Sequence, residues 1–75
     1  AEVIELIVHE YTKVINKPLK SINLPENTII GAIIREKEAI IPHGEDIIKE
    51  GDKVIIFTKA SGIKKVEQLF NGKRS

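Results

Sequence analysis

Seventy-five residues make one domain, near the lower size at which a lone hydrophobic core holds a fold together. The absence of cysteine removes disulfide staples and thiolate chemistry, so stability has to come from packing or association. Twelve basic against eleven acidic residues, with one Tyr and two Phe, exclude both a strong nucleic-acid field and a base-stacking platform.

In chain order, Val3 to Glu10 reads as a first strand, with Ile4, Leu6 and Val8 on one face and Val3, Glu5, Ile7 and His9 on the other. Tyr11 to Asn16 is a connector that turns Val14 and Ile15 inward. Lys17 to Ile22 suits a short helical turn, with Pro18 at the first helical position and Leu19 and Ile22 on one side. Leu24 to Asn27 is a turn in which Pro25 is pre-set for the second position. Thr28 to Arg35 forms the central strand. There Ile29, Gly31 and Ile33 alternate with Ile30, Ala32 and Ile34, so both faces are apolar. Glu36-Lys37 turns the chain into Glu38–Ile41, completing a hairpin. Pro42 has no N–H to give a ladder and closes that run, and Gly44 lets the backbone turn away. Gly51-Asp52 then aims the chain into Val54–Phe57, another strand apolar on both sides. Ser61 is placed to cap a helix with Ile63, Val66 and Phe70 on one stripe and Leu69 beside it. Asn71-Gly72 ends that helix, and residues 71–75 read as a flexible polar tail.

These elements predict an α+β domain. A mainly antiparallel sheet of about four strands carries two helices on one face and dimerises through the other. The helical residues Leu19, Ile22, Ile63, Val66 and Phe70 suffice for one face of the sheet. Alternating Ile remains on the second face, and apolar patches of that size are seldom left open to water. A second copy is the simplest cover, because two-fold homodimers are the commonest closed assembly.

Four segments recur in a familiar order and spacing. They are Leu19-x-x-Ile22-Asn23-Leu24-Pro25, the strand Ile29–Arg35 with its Gly31, Ile40-Ile41-Pro42-x-Gly44, and Gly51-Asp52-x-Val54-Ile55-Ile56. Together they resemble the TrkA C-terminal domain (TrkA-C), the C-lobe of the RCK (regulator of potassium conductance) domain, from about Val3 to Phe70. The resemblance implies a regulatory lobe of a potassium channel or cation transporter that works as a homodimer. Its effector would sit at the dimer seam, cyclic di-AMP being one for some bacterial relatives. Mapped onto this sequence, the apolar ligand candidates are Leu24, Ile30, Ile34, Ile41 and Pro42, and the polar ones are Asn23, Arg35 and His43. Pro25 stands where some ligand-binding relatives offer a basic or polar group. Plain core or interface packing is the competing reading of each of these residues.

Other chemistry is thinly represented. His43, Glu45 and Asp46 put an imidazole and two carboxylates within four residues, but no second His or spaced carboxylate completes a metal site, and a solvated turn explains them as well. Ser21 and Ser61 lie outside any nucleophile elbow, and the five glycines are too dispersed to cradle a phosphate. The reading is a non-enzymatic regulatory lobe controlling ion transport through effector-dependent dimer geometry. The alternative is a pure dimerisation module, without effector, appended to another transporter. No nucleic acid partner and no direct membrane insertion are expected, because the longest apolar run is far short of the roughly 20 residues a span requires. With no cysteine and no export signal, the expected location is the cytoplasmic face of a membrane transporter. The lack of any methionine points to a domain of a longer protein.

Overall fold

β-branched runs bounded by turn formers become four strands: β1 (Glu2–Ile7), β2 (Ile29–Arg35), β3 (Glu38–Ile40) and β4 (Lys53–Thr58). They are seen in a computed structural model that describes residues 1–10 and 12–70. The expected tail at 71–75 and the first residue of the expected connector lie outside the described residues. All pairings are antiparallel, in the order β1-β4-β2-β3. The last strand in the sequence therefore inserts between the first and the second, which puts Val54 and Ile56 at the centre of the sheet, with no exposure at all.

The β2–β3 hairpin turns on Glu36 and Lys37, both at positive φ (50° and 70°). This is the left-handed pair of a two-residue hairpin loop, matched to the twist of the strands and built without the usual Asn or Gly. Expected and observed strands differ most inside β2. The register shifts between Ile30 and Ala32, so Gly31 is an extra residue opposite β4. Ile29, Ala32 and Ile34 then stand opposite Phe57, Ile55 and Lys53 on one face, while Ile30 and Ile33 stand opposite Ile56 and Val54 on the other. The simple alternation of Ile29, Gly31 and Ile33 is thus broken by the bulge. Glycine is required there: a Cβ on Gly31 would lie 2.3 Å from Cε2 of Phe57, whose ring crosses the bulge.

One α-helix, α1 (Ile63–Phe70), covers the core face, burying Val66 and Phe70. It is entered through a 3-10 turn, Ala60–Gly62, whose capping position is Lys59, without a side-chain cap bond. Ser61 lies within that turn and is not the cap. Gly62 is fixed by contact instead, since a Cβ there would stand 2.5 Å from Oγ1 of Thr58. The buried hydroxyls of Thr28 and Thr58 are 2.7 Å apart, joining the start of β2 to the end of β4. The other expected helix is a single 3-10 turn, Leu19–Ser21. Pro18 precedes it in extended conformation (ψ 146°) and accepts a hydrogen bond from the Ser21 hydroxyl.

The core comprises Val8, Val14, Ile33, Ile48, Val54, Ile56, Val66 and Phe70, with Ile4, Leu6, Ile15, Leu19, Ile22, Ile30, Ile40 and Leu69 packed around it. Ile48 comes from the irregular segment between β3 and β4. That segment is laced to the 3-10 turn at Leu19–Ser21: the N–H groups of Leu19 and Lys20 donate to the carbonyls of Asp46 and Gly44, and Pro18 bridges Ile47. Two loops distant in sequence thereby become one wall beside the β2–β3 hairpin.

Candidate ligand cleft and association surface

That wall shapes an apolar cleft of about 240 Å³ lined by Leu19, Lys20, Leu24, Thr28, Ile29, Ile30, Pro42, His43 and Gly44. Of the eight residues expected to meet a ligand, four converge here: Leu24, Ile30, Pro42 and His43. Leu24 comes from the segment after the 3-10 turn, Ile30 from the start of β2, and Pro42 and His43 from the exit of β3. The His43 N–H donates to the Asp46 carboxylate at 2.6 Å, while the imidazole is 81% exposed and its Nδ1 lies 3.6 Å from the same oxygen. The turn thus holds the backbone and leaves the ring facing solvent at the rim.

The other four sit elsewhere. Asn23 lines a different cleft, against Lys13 and Lys65. Ile34 lies on the open sheet face opposite Lys53 and Ala39. Ile41 is the most exposed large apolar residue described, at 70%. Arg35 is neither a free strand end nor part of the apolar cleft. Its Nε and Nη2 donate to the two oxygens of Asp52 at 2.9 and 2.8 Å, and Nη2 also donates to the Ile47 carbonyl. Asp52 is buried and accepts a further bond from the Lys49 N–H. Burial alone pushes its carboxyl pKa up. The hydrogen bond from Arg35, the Lys49 N–H and the charges of Arg35 and Lys49 together outweigh that and hold it below the ordinary carboxylate value. Hydrogen bonding to Asp52 correspondingly raises Arg35 above its ordinary value. This bidentate pair ties the end of β2 to the turn before β4 and fixes the segment that carries Ile47 and Ile48. It was legible only as a Gly-Asp turn, because an aspartate in that position gives no sequence sign of its partner.

Glu45 reaches across to Lys20 Nζ at 3.3 Å, and no group of three potential His, Asp or Glu ligands exists among the described residues.

The second face of the sheet is open along the row Val3–Phe57–Ile29, whose members are 59%, 40% and 62% exposed. The next rows bring Glu5 beside Ile55 and Ala32, and Ile7 beside Lys53, Ile34 and Ala39. Charge is confined to the β1–β4 side, where Lys53 and Glu5 approach to 3.9 Å. The β2–β3 side is apolar. Ile29 belongs both to this face and to the cleft, so the two are continuous.

A four-stranded antiparallel sheet with one face covered by a helix is an α+β fold shared with RCK domains. The solved "Structure of RCK domain with cda" superposes with a TM-score of 0.81 at 25% identity, over 95% of this chain and all (100%) of that one. The RCK_C domain dimer of S. agalactiae BusR in complex with c-di-AMP shares the fold, with a TM-score of 0.80 at 22% identity over 97% of this chain and 100% of that one. Residues 3–71 match the TrkA-C domain family, and the chain belongs to it. Its relatives include Trk system potassium uptake protein TrkA homolog 2 of Methanosarcina mazei, 43% identical over 70 residues that make up 93% of this chain and 16% of that protein. The TrkA homolog of Pyrococcus abyssi is 39% identical over 75 residues, 99% of this chain and 33% of that protein. The chain therefore spans between about a sixth and a third of these relatives' lengths. Among the described residues, no helix is long and apolar enough to cross a membrane.

Proposed function

We propose that this chain is the regulatory C-lobe of a longer potassium-uptake protein, working without catalysis at the cytoplasmic side of a membrane transporter. Two copies associate through the open sheet face, and a small effector occupies the cleft at the edge of that face. The observation that carries this reading is the shared residue Ile29: a molecule in the cleft and a second copy on the face would touch the same side chain. A ligand preferring one arrangement of the two copies would then shift the dimer between states. Cyclic di-AMP is the effector to try first. The cleft supplies Leu24, Ile30 and Pro42 for a base, with His43 and Lys20 at its rim for phosphate, and a structural relative is solved with cda.

The test is thermal unfolding with cyclic di-AMP, with dimerisation followed by light scattering. At about 100 times its dissociation constant the ligand would stabilise the chain by about 2.7 kcal/mol, raising Tm by roughly 10 to 20 °C. His43→Ala would reduce that shift. No shift in a sound dimer would overturn cyclic di-AMP as the effector and favour the assembly module. One observation favours that second reading: Asn23 and Arg35, two of the three polar ligand candidates, lie outside the cleft, and Arg35 is occupied by Asp52.

A further inference from the structure

The segment Asn23–Pro25 is a wall shared by two clefts. Leu24 lines the apolar one, while Asn23 and Pro25 line a second of about 320 Å³ that also takes in Lys13 and, from α1, Lys65, Gln68 and Leu69.

The second cleft has a charge pattern of its own. Two lysines line it and no carboxylate does. Among the described residues neither Lys13 nor Lys65 makes an ion pair, whereas Lys20 at the apolar cleft is paired with Glu45. An adjoining cleft, which shares Pro25 and Lys65 with this one, holds a single acid, Glu26, and a separate cleft holds Glu36, Glu50 and Asp52. Two ammonium groups around one small space repel each other unless an anion sits between them. Ammonium groups bind phosphate oxygens as point charges, and the amides of Asn23 and Gln68 add both donors and acceptors for hydroxyl groups. Pro25 and Leu69 give a half-buried apolar floor. The volume is at the small end of the roughly 300 to 1,000 Å³ typical of ligand sites, and larger than bare phosphate would fill.

We propose that the cleft formed by Lys13, Asn23, Lys65 and Gln68 binds a small phosphorylated metabolite, at a site separate from the apolar cleft. The phosphate lies between the two lysines and the organic body rests on Leu69 and Pro25 under the two amides. The site does not depend on an effector in the apolar cleft or on dimerisation.

The experiment is an NMR titration of the isotope-labelled chain with AMP, glucose 6-phosphate, 3-phosphoglycerate and inorganic phosphate, each as a separate probe. Expected are saturable shifts at the side-chain amides of Asn23 and Gln68 and at the backbone of Lys65 with at least one of the three esters, about tenfold tighter than with inorganic phosphate. Lys13→Gln/Lys65→Gln should weaken that ester by about tenfold or more without changing Tm, and salt should weaken it further. Because these side chains are exposed, the double variant keeps its core, and His43→Ala serves as the control that leaves this site intact. Equal affinity for phosphate and the esters, unchanged binding in the double variant, or no saturable shift with any ester would each overturn the proposal.

Discussion

The two faces of the sheet are built from the same kinds of residue and meet opposite fates. On one, Ile33, Val54 and Ile56 have no exposure, sealed by Val66 and Phe70 of α1 and by Ile48 from the loop. On the other, Val3, Ile29 and Phe57 remain open to solvent although their sequence context is just as apolar. Hydrophobic alternation says that a strand has two greasy sides. It does not say which side the single helix will cover. The covered side holds the fold, and the open side is available for recognition.

Substitutions grade along that difference. The largest loss is expected at the covered face: Ile33→Ala or Ile56→Ala should cost about 3 to 4 kcal/mol in urea unfolding, a large share of the total stability of so small a domain. Nearly as large is Arg35→Ala, which leaves Asp52 buried without its bidentate partner and should cost about 2 to 3 kcal/mol, the partly exposed guanidinium keeping it below a fully buried pair. The same pair sets an acid limb. Because the folded-state carboxyl of Asp52 is held below its unfolded value of about 3.9, the folded chain binds this proton more weakly than the unfolded chain does. The pair's contribution is therefore fully present above that pH and is lost as pH falls from there through the lower folded-state value; Asp52→Asn should lower stability at neutral pH and flatten the decline below about pH 5. A comparable acid limb in both proteins would remove Asp52 as its source.

Gly31→Ala probes the boundary between the faces. The added Cβ must push the Phe57 ring aside, for a cost of about 1 to 2 kcal/mol and a changed environment of that ring by NMR. On the open face, Ile29→Asp should change monomer stability by no more than about 0.5 kcal/mol, yet abolish association measured by light scattering. Were Ile29→Asp to unfold the chain as Ile33→Ala does, the contrast between the two faces would collapse. Smallest of all, Lys20→Ala removes an exposed ion pair and should shift stability by less than about 0.5 kcal/mol.

The parts of the candidate site that were legible in the sequence are those whose neighbours are close along the chain. Pro42 and His43 follow β3 directly, and Leu24 and Ile30 flank one turn, while their reading as ligand candidates rests on the family resemblance. Asn23 and its chain neighbour Leu24 line different clefts, a division that adjacency in the sequence does not announce. For Arg35, at the end of β2, nothing local announces a partner 17 residues away. The bulge at Gly31 has no local sign, because a lone glycine in an apolar run reads equally well as plain strand.

By itself the sequence determined the four strands, the stripe of α1, the hairpin at Glu36-Lys37 and the membership of the apolar set. All of these follow from periodicity and turn chemistry acting over a few residues. Only the tertiary structure decided the order β1-β4-β2-β3, the re-phasing of β2 at Gly31, the burial of Ile48 and the clamp between Arg35 and Asp52. Each of those depends on which distant segments meet, and that is set by the combined packing of the chain, where β4 gains most by entering the middle of the sheet and burying Val54 and Ile56.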